Sequence, residues 1–73
     1  MSIETPSPGA IALRFFLEEH GMSAYRFAEI NGFQPRSVQQ WAKGDCRPGF
    51  DAALRLESIT EGQVKARMWR RAR

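Results

Sequence analysis

Glycines at positions 21, 32 and 44 divide the first 44 residues of the chain into short stretches of similar length, and each stretch opens on a residue suited to starting a helix. Ser7 offers a capping hydroxyl, and Pro8 after it loses nothing at the first helical position, where an N–H would have no partner. Ser23 precedes "AYRFAEIN", and Pro35 opens "PRSVQQWAK". Glycine is the usual left-handed residue just past a helix end, so this punctuation restricts the chain to short helices. No segment alternates in the manner of a half-buried strand. The expected fold class is all-α, a compact bundle of four or five short helices without repeats.

The apolar residues fall on stripes that fit this division. Leu13, Phe16 and Leu17 share one face of helix 1, while Arg14 and Glu18 stand four apart on another. Gly21 is expected to end that helix. Phe27 and Ala28 point inward from helix 2, and Val38, Trp41 and Ala42 form the i, i+3, i+4 seam of helix 3. After the loop "DCRPG", the stretch "FDAALRLESI" reads as a fourth amphipathic helix with Phe50, Ala53, Leu54 and Ile59 inward, broken by "TEG". "QVKARMWRR" suits a fifth short helix with Val64 and Met68 four apart. Residues 1–8 are expected to be a flexible N-terminal segment and residues 9–73 one domain.

A core drawn from 73 residues is small. Such chains gain from a metal, disulfides or a partner chain. With Cys46 and His20 as the one cysteine and the one histidine, neither an internal disulfide nor a Cys/His zinc site can form. Cys46 reads as an ordinary loop residue. The start "MSIETPSPG" is neither basic nor apolar, which is not the pattern of a signal peptide. No apolar run approaches the roughly 20 residues that span a bilayer. A cytoplasmic location is expected, with no membrane partner, no cofactor and no small-molecule ligand.

The net charge of +3 is modest, but its distribution is uneven. Residues 1–33 set Arg14 and Arg26 against Glu4, Glu18, Glu19 and Glu29, a net −2. Residues 34–73 set nine bases against Asp45, Asp51, Glu57 and Glu61, a net +5, and the final "KARMWRRAR" holds five bases and no acid. Asymmetry of this kind points to an anionic partner.

Helix 3 narrows that partner. Opposite its apolar seam, Arg36, Gln39, Gln40 and Lys43 stand at i, i+3, i+4 and i+7, a row of long donors and acceptors without a carboxylate. An ordinary solvated face would look the same, so the row alone does not decide. Arginine matches the O6 and N7 acceptors of guanine, glutamine matches N7 and N6 of adenine, and a terminal lysine reaches phosphate. Helix 2 adds weight. In "GMSAYRFAEINGFQPRSVQQWAKG" a small Ala28 stands at the helix crossing, Gly32 in the turn, and Phe27, Phe33, Val38 and Trp41 at the apolar positions. Two helices meeting at a steep angle through a short turn need a small contact residue and a left-handed turn residue.

These residues resemble the helix-turn-helix of phage Cro-type and repressor-type regulators. With helix 1 and "CRPGFDAALRLESITEGQVK" the likeness extends over about residues 10–69, to small prophage Cro-like and antitoxin-like regulators. It implies a lambda-repressor-like DNA-binding domain that reads double-stranded DNA through helix 34–43 in the major groove. Carried over by position, the base-reading residues are Gln34, Arg36, Ser37, Gln39 and Gln40. Lys43, Arg47 and the start of helix 2 at Ser23, Ala24 and Tyr25 are the phosphate contacts, the last through free backbone N–H groups. Tyr25 also suits a partly buried aromatic, and Arg47 a plain loop charge. Arg26 is expected on the outer side of helix 2. Two positions depart from the pattern. Asn31 stands where an apolar or small residue is usual, so that edge is solvated or hydrogen-bonded. Gln34 stands at the usual Ser/Thr cap, where its amide caps poorly and is free to read a base.

The function implied is a transcriptional regulator, a repressor in the first instance because 73 residues leave little room for an effector domain. Autoregulation and a phage or prophage origin follow from the resemblance. The operator is expected to be an inverted repeat bound by a homodimer, since one recognition helix reads few base pairs. Val64, Met68 and Trp69 are the contact residues suggested for that dimer, with the exposed part of helix 4. Trp69 either stacks on a neighbouring subunit or closes the core. The alternative reading is a protein-interaction module, an antitoxin or a phage-assembly adaptor, which would place apolar residues on the outer face of helix 3. Catalysis has little support. Adjacent Glu18 and Glu19 point about 100° apart on a helix, and His20 has no nucleophile beside it in sequence, so no enzyme is expected.

Overall fold

The computed structural model describes residues 7–69 and is all-helical, with no strand among the described residues. Four α-helices run in order: α1 (Pro8–Glu19), α2 (Ala24–Asn31), α3 (Pro35–Lys43) and α4 (Phe50–Ile59). A 3-10 turn, Ala66–Trp69, is the last element among the described residues.

The local signals act as their chemistry dictates. Ser7 Oγ accepts from the Ala10 N–H at 3.3 Å, and Ser23 Oγ accepts from the Arg26 N–H at 3.1 Å. Each hydroxyl thereby satisfies a helix-start donor that has no carbonyl of its own. Ser7 is therefore the cap of α1 and Pro8 its first residue, so both of these positions within the expected flexible segment 1–8 are tied to a helix. Residues 1–6 lie outside the described residues. At the end of α2, Gly32 adopts φ +78°, and both its own N–H and that of Phe33 return to the Ala28 carbonyl. That reversal of direction within three residues is what brings α3 back against α2.

The core draws on every helix. Leu13, Phe27, Val38, Leu56 and Val64 are fully enclosed, with Phe16, Leu17, Trp41 and Trp69 around them. Aromatic rings run through the first three helices as a ladder. His20 lies 4.2 Å from Phe16, Phe16 meets Phe27 edge-on at 5.9 Å, Phe27 stacks on Phe33 at 6.1 Å, and Phe33 meets Trp41 edge-on at 5.4 Å. Such pairs contribute about 0.5–1.5 kcal/mol each beyond their area. The ladder ties the α2–α3 turn, through Phe33, to both helices it joins.

Of the four α4 residues expected inward, Ala53 and Ile59 pack on the core, while Phe50 and Leu54 face outward. Phe50 is 76% exposed and Leu54 45% exposed, whereas Ala53 and Leu56 are buried and Ala52 and Ile59 pack beside them. The helix carries two overlapping apolar stripes. One runs through Phe50, Ala53 and Leu54 and then meets Glu57. The other runs through Ala52, Ala53, Leu56 and Ile59 without interruption, and its small alanines allow close approach. The uninterrupted stripe wins the core.

The last described turn is core as well. Val64 is fully buried and Trp69 is 3% exposed within the single chain. The Trp69 indole lies directly on Gly9 of α1, so closely that a Cβ at position 9 would overlap its ring. Thr60 fixes the approach by donating Oγ1–H to the Leu56 carbonyl at 2.7 Å and accepting from Val64 N–H at 3.0 Å. The Glu57 carboxylate accepts from Ala66 N–H at 3.0 Å, and Arg47 donates to the Trp69 carbonyl at 3.5 Å. Val64 and Trp69 are thus consumed by their own fold and offer no surface to a second subunit. Met68, half-buried, is the one of the three suggested dimer residues that retains some exposure.

Candidate nucleic-acid interface

The outward face of α3 follows directly from how its inward face docks. With Val38, Trp41 and Ala42 buried, a 3.6-residue period turns Arg36, Gln39 and Lys43 to solvent, and all three are exposed. Proline at the first helical position and left-handed Gly44, φ +89°, bound the helix. No acid lies within it. Lys43 in its last turn also complements the negative end of the helix dipole.

The remaining positions on this face differ in how open they are. Gln34 is exposed, holds extended backbone (φ −77°, ψ 128°) and makes no side-chain cap bond, so its amide is uncommitted. Ser37 is half-buried at the edge of the seam. Gln40 is half-buried because the following loop folds back over it. Its backbone carbonyl accepts from the N–H groups of Gly44 and Asp45, and its Oε1 takes a weak Cys46 Sγ–H contact at 3.6 Å. Arg36 and Gln39 are therefore the freest forked groups.

At the start of α2, Ser23 uses its hydroxyl as a cap, and helix geometry leaves the Ala24 and Tyr25 N–H groups without intrahelical acceptors. Tyr25 is 54% exposed, which removes the partly buried alternative. Arg26 faces outward and lies 3.8 Å from Glu29. Asn31 is hydrogen-bonded, its Nδ2 donating to the Phe27 carbonyl at 2.9 Å.

Arg47 stands apart from this set. Besides bonding to the last turn, it lines an open groove of about 560 Å³ with Pro48, Phe50, Ala66, Arg67 and Trp69, to which α3 contributes no residue. The structure therefore ties Arg47 to the α4 side of the molecule. Among the described residues no cluster of His, Cys, Asp or Glu is arranged to hold a metal ion, and no helix is long and apolar enough to cross a membrane.

Sequence reasoning passed over Arg55. From α4 its guanidinium donates to the Asn31 carbonyl at 2.7 Å and lies 4.4 Å from the centroid of the Phe33 ring. Both partners are more than twenty positions away in the chain, so no local pattern marks the contact. Compared with protein-family models, with curated proteins and with solved structures, the chain matches none.

Proposed function

We propose that this chain is a sequence-specific binder of double-stranded DNA and acts as a transcriptional regulator, a repressor of the phage Cro type. The observation that carries the reading is the outward face of α3, where Arg36, Gln39 and Lys43 stand free on a helix held by its opposite side, with no acid among them. Arg36, Gln39 and the uncapped Gln34 read base edges in the major groove, with Ser37 and Gln40 at the margins. Lys43 and the start of α2 at Ser23, Ala24 and Tyr25 hold phosphate. Arg47 takes no part in this binding face.

The working unit in this reading is a two-fold dimer on an inverted repeat. The dimer contact moves from the closing turn to the outer side of α4, where Phe50 and Leu54 are exposed beside the groove that holds Arg47 and Arg67. Exposed aromatic and aliphatic groups next to a groove suit a self-complementary contact. Phe50→Ser is expected to leave the helical fold intact and to abolish cooperative occupation of two half-sites. Light scattering with titration of one and two half-sites reads this out, and a Phe50→Ser variant that still binds as a dimer rules the face out.

A binding site obtained by selection from randomised duplexes provides the central test. Arg36→Ala is expected to cost about 1–3 kcal/mol on the selected site and to relax preference at one position. Lys43→Ala is expected to weaken selected and random duplexes alike and to lower the salt slope by about one. Equal losses for Arg36→Ala on both duplexes would remove the base-reading role. A second reading, a module for a protein partner, is favoured by one observation, the exposed Ile11 and Phe15 one turn apart on the outer side of α1. Failure of the selection to enrich any duplex would transfer the weight to it.

A further inference from the structure

The α2–α3 turn is held from outside by a residue of neither helix. Arg55 is exposed on α4, yet its guanidinium reaches the turn at two points, the Asn31 carbonyl at 2.7 Å and the Phe33 ring at 4.4 Å. The first is a charge-assisted hydrogen bond to a carbonyl at the end of α2, where a helix leaves acceptors without intrahelical donors. The second lays a planar cation over the ring that is stacked on Phe27 and set edge-on to Trp41. A Cβ at Gly32, between the two contacts, would stand at ordinary van der Waals distance, 3.9 Å, from the same guanidinium. One side chain therefore spans the three residues that set the direction in which α3 leaves α2.

Burial does not explain the arrangement. A guanidinium on the solvent side of α4 adds little to the core, and a lysine would keep its charge and most of its stem. Only the planar fork bonds the carbonyl and stacks on the ring at once. We infer that Arg55 is a positioning residue for the outward face of α3, fixing the angle at which Arg36 and Gln39 are presented. This rests on the reading of α3 as a DNA-binding helix. It gives α4 a part in sequence discrimination without a contact to a base.

Arg55→Lys is the discriminating variant because it keeps the positive charge and loses the fork. Its expected effect is a loss of about tenfold in affinity for the selected duplex, the scale of one charge-assisted hydrogen bond. Affinity for random duplex and the salt slope are expected to stay at wild-type values, since no phosphate contact is lost. Hydrogen exchange gives a readout that does not depend on DNA. The amides of Gly32 and Phe33 are expected to lose more protection than those of Leu13 and Leu56, which follow only the fall in global stability. Phe33→Leu, which removes the ring and leaves the carbonyl bond, is expected to make part of the Arg55→Lys loss disappear in the double variant. Unchanged turn exchange in Arg55→Lys would overturn the inference, whatever the DNA result. Faster turn exchange with equal loss on both duplexes would also overturn it, by making Arg55 a phosphate contact. Absence of any selected duplex for the wild-type protein would instead defeat the DNA-binding reading, with the exchange data still deciding whether Arg55 holds the turn.

Discussion

Trp41→Ala is expected to abolish the folded state at room temperature. Trp41 is buried on the inward side of α3 and meets Phe33 edge-on at 5.4 Å. Replacing a buried aromatic by alanine typically costs about 3–5 kcal/mol, counting both the lost transfer energy and the cavity left behind. A chain of this size has roughly that much stability in total. The aromatic ladder leaves little scope for collapse, because Phe33 is itself held between Phe27 and Trp41. Far-ultraviolet circular dichroism should show the helical signal lost, with no cooperative melt. A Trp41→Ala protein that stays helical and still binds duplex DNA would mean that α3 docks by some other face, and the assignment of Arg36, Gln39 and Lys43 would fall with it.

The second large effect is expected at the other end of the fold. Trp69→Ala removes the indole that rests on Gly9, and a loss of about 3–5 kcal/mol is expected on the same grounds. Its Nε1 is buried and has no hydrogen-bond partner among the described residues, so the gain from this side chain comes from packing. A truncation after Gly62 deletes Val64 as well and is expected to yield an unfolded chain. The reciprocal change supports the same contact by the opposite route. Gly9→Ala drives a methyl group into the ring, and overpacking of this kind costs about 1–3 kcal/mol. Combining Gly9→Ala with Trp69→Leu should cost less than the two separate losses added together, because the smaller side chain makes room for the methyl. Thermal melts of the four proteins measure this coupling. A truncated chain with a full helical signal and a cooperative transition would show that the closing turn is dispensable.

The helix boundaries were legible because each is written in a few adjacent residues. Ser7 and Ser23 cap, Pro8 and Pro35 start, and Gly32 and Gly44 take positive φ where the chain must reverse. The inward residues of α1, α2 and α3 were legible too, at Leu13, Phe16 and Leu17, at Phe27 and Ala28, and at Val38, Trp41 and Ala42, although α1 also carries the exposed pair Ile11 and Phe15. α4 was legible only in part, because two stripes overlap and the choice between them depends on what the rest of the chain presents. Neither hydropathy nor spacing at Phe50 distinguishes a core residue from an exposed one, and the break at Glu57 is the single local hint. Trp69 poses the same difficulty over a greater distance, as its partner Gly9 lies near the other end of the described chain. On the candidate interface, the outward positions of Arg36, Gln39 and Lys43 followed from the seam. The loop that partly covers Gln40 and the tie of Arg47 to the closing turn depend on tertiary contacts that no periodicity encodes.

The contact between Gly9 and Trp69 also bears on the order in which the molecule assembles. Almost the whole described chain lies between these two residues, so joining them bears the largest loop-closure entropy of any contact in the core. The α2–α3 pair, by comparison, is joined by a three-residue turn and forms from neighbours in sequence. Folding should therefore begin around Phe27, Phe33 and Trp41 and finish when the indole settles on α1. A weakened Trp69 contact would then act mainly by hastening unfolding, whereas a weakened Trp41 contact would slow folding itself. The protein's lifetime in its native form would be governed at the Trp69 turn, which packs on α1 and α4 and not on the helix proposed to meet DNA.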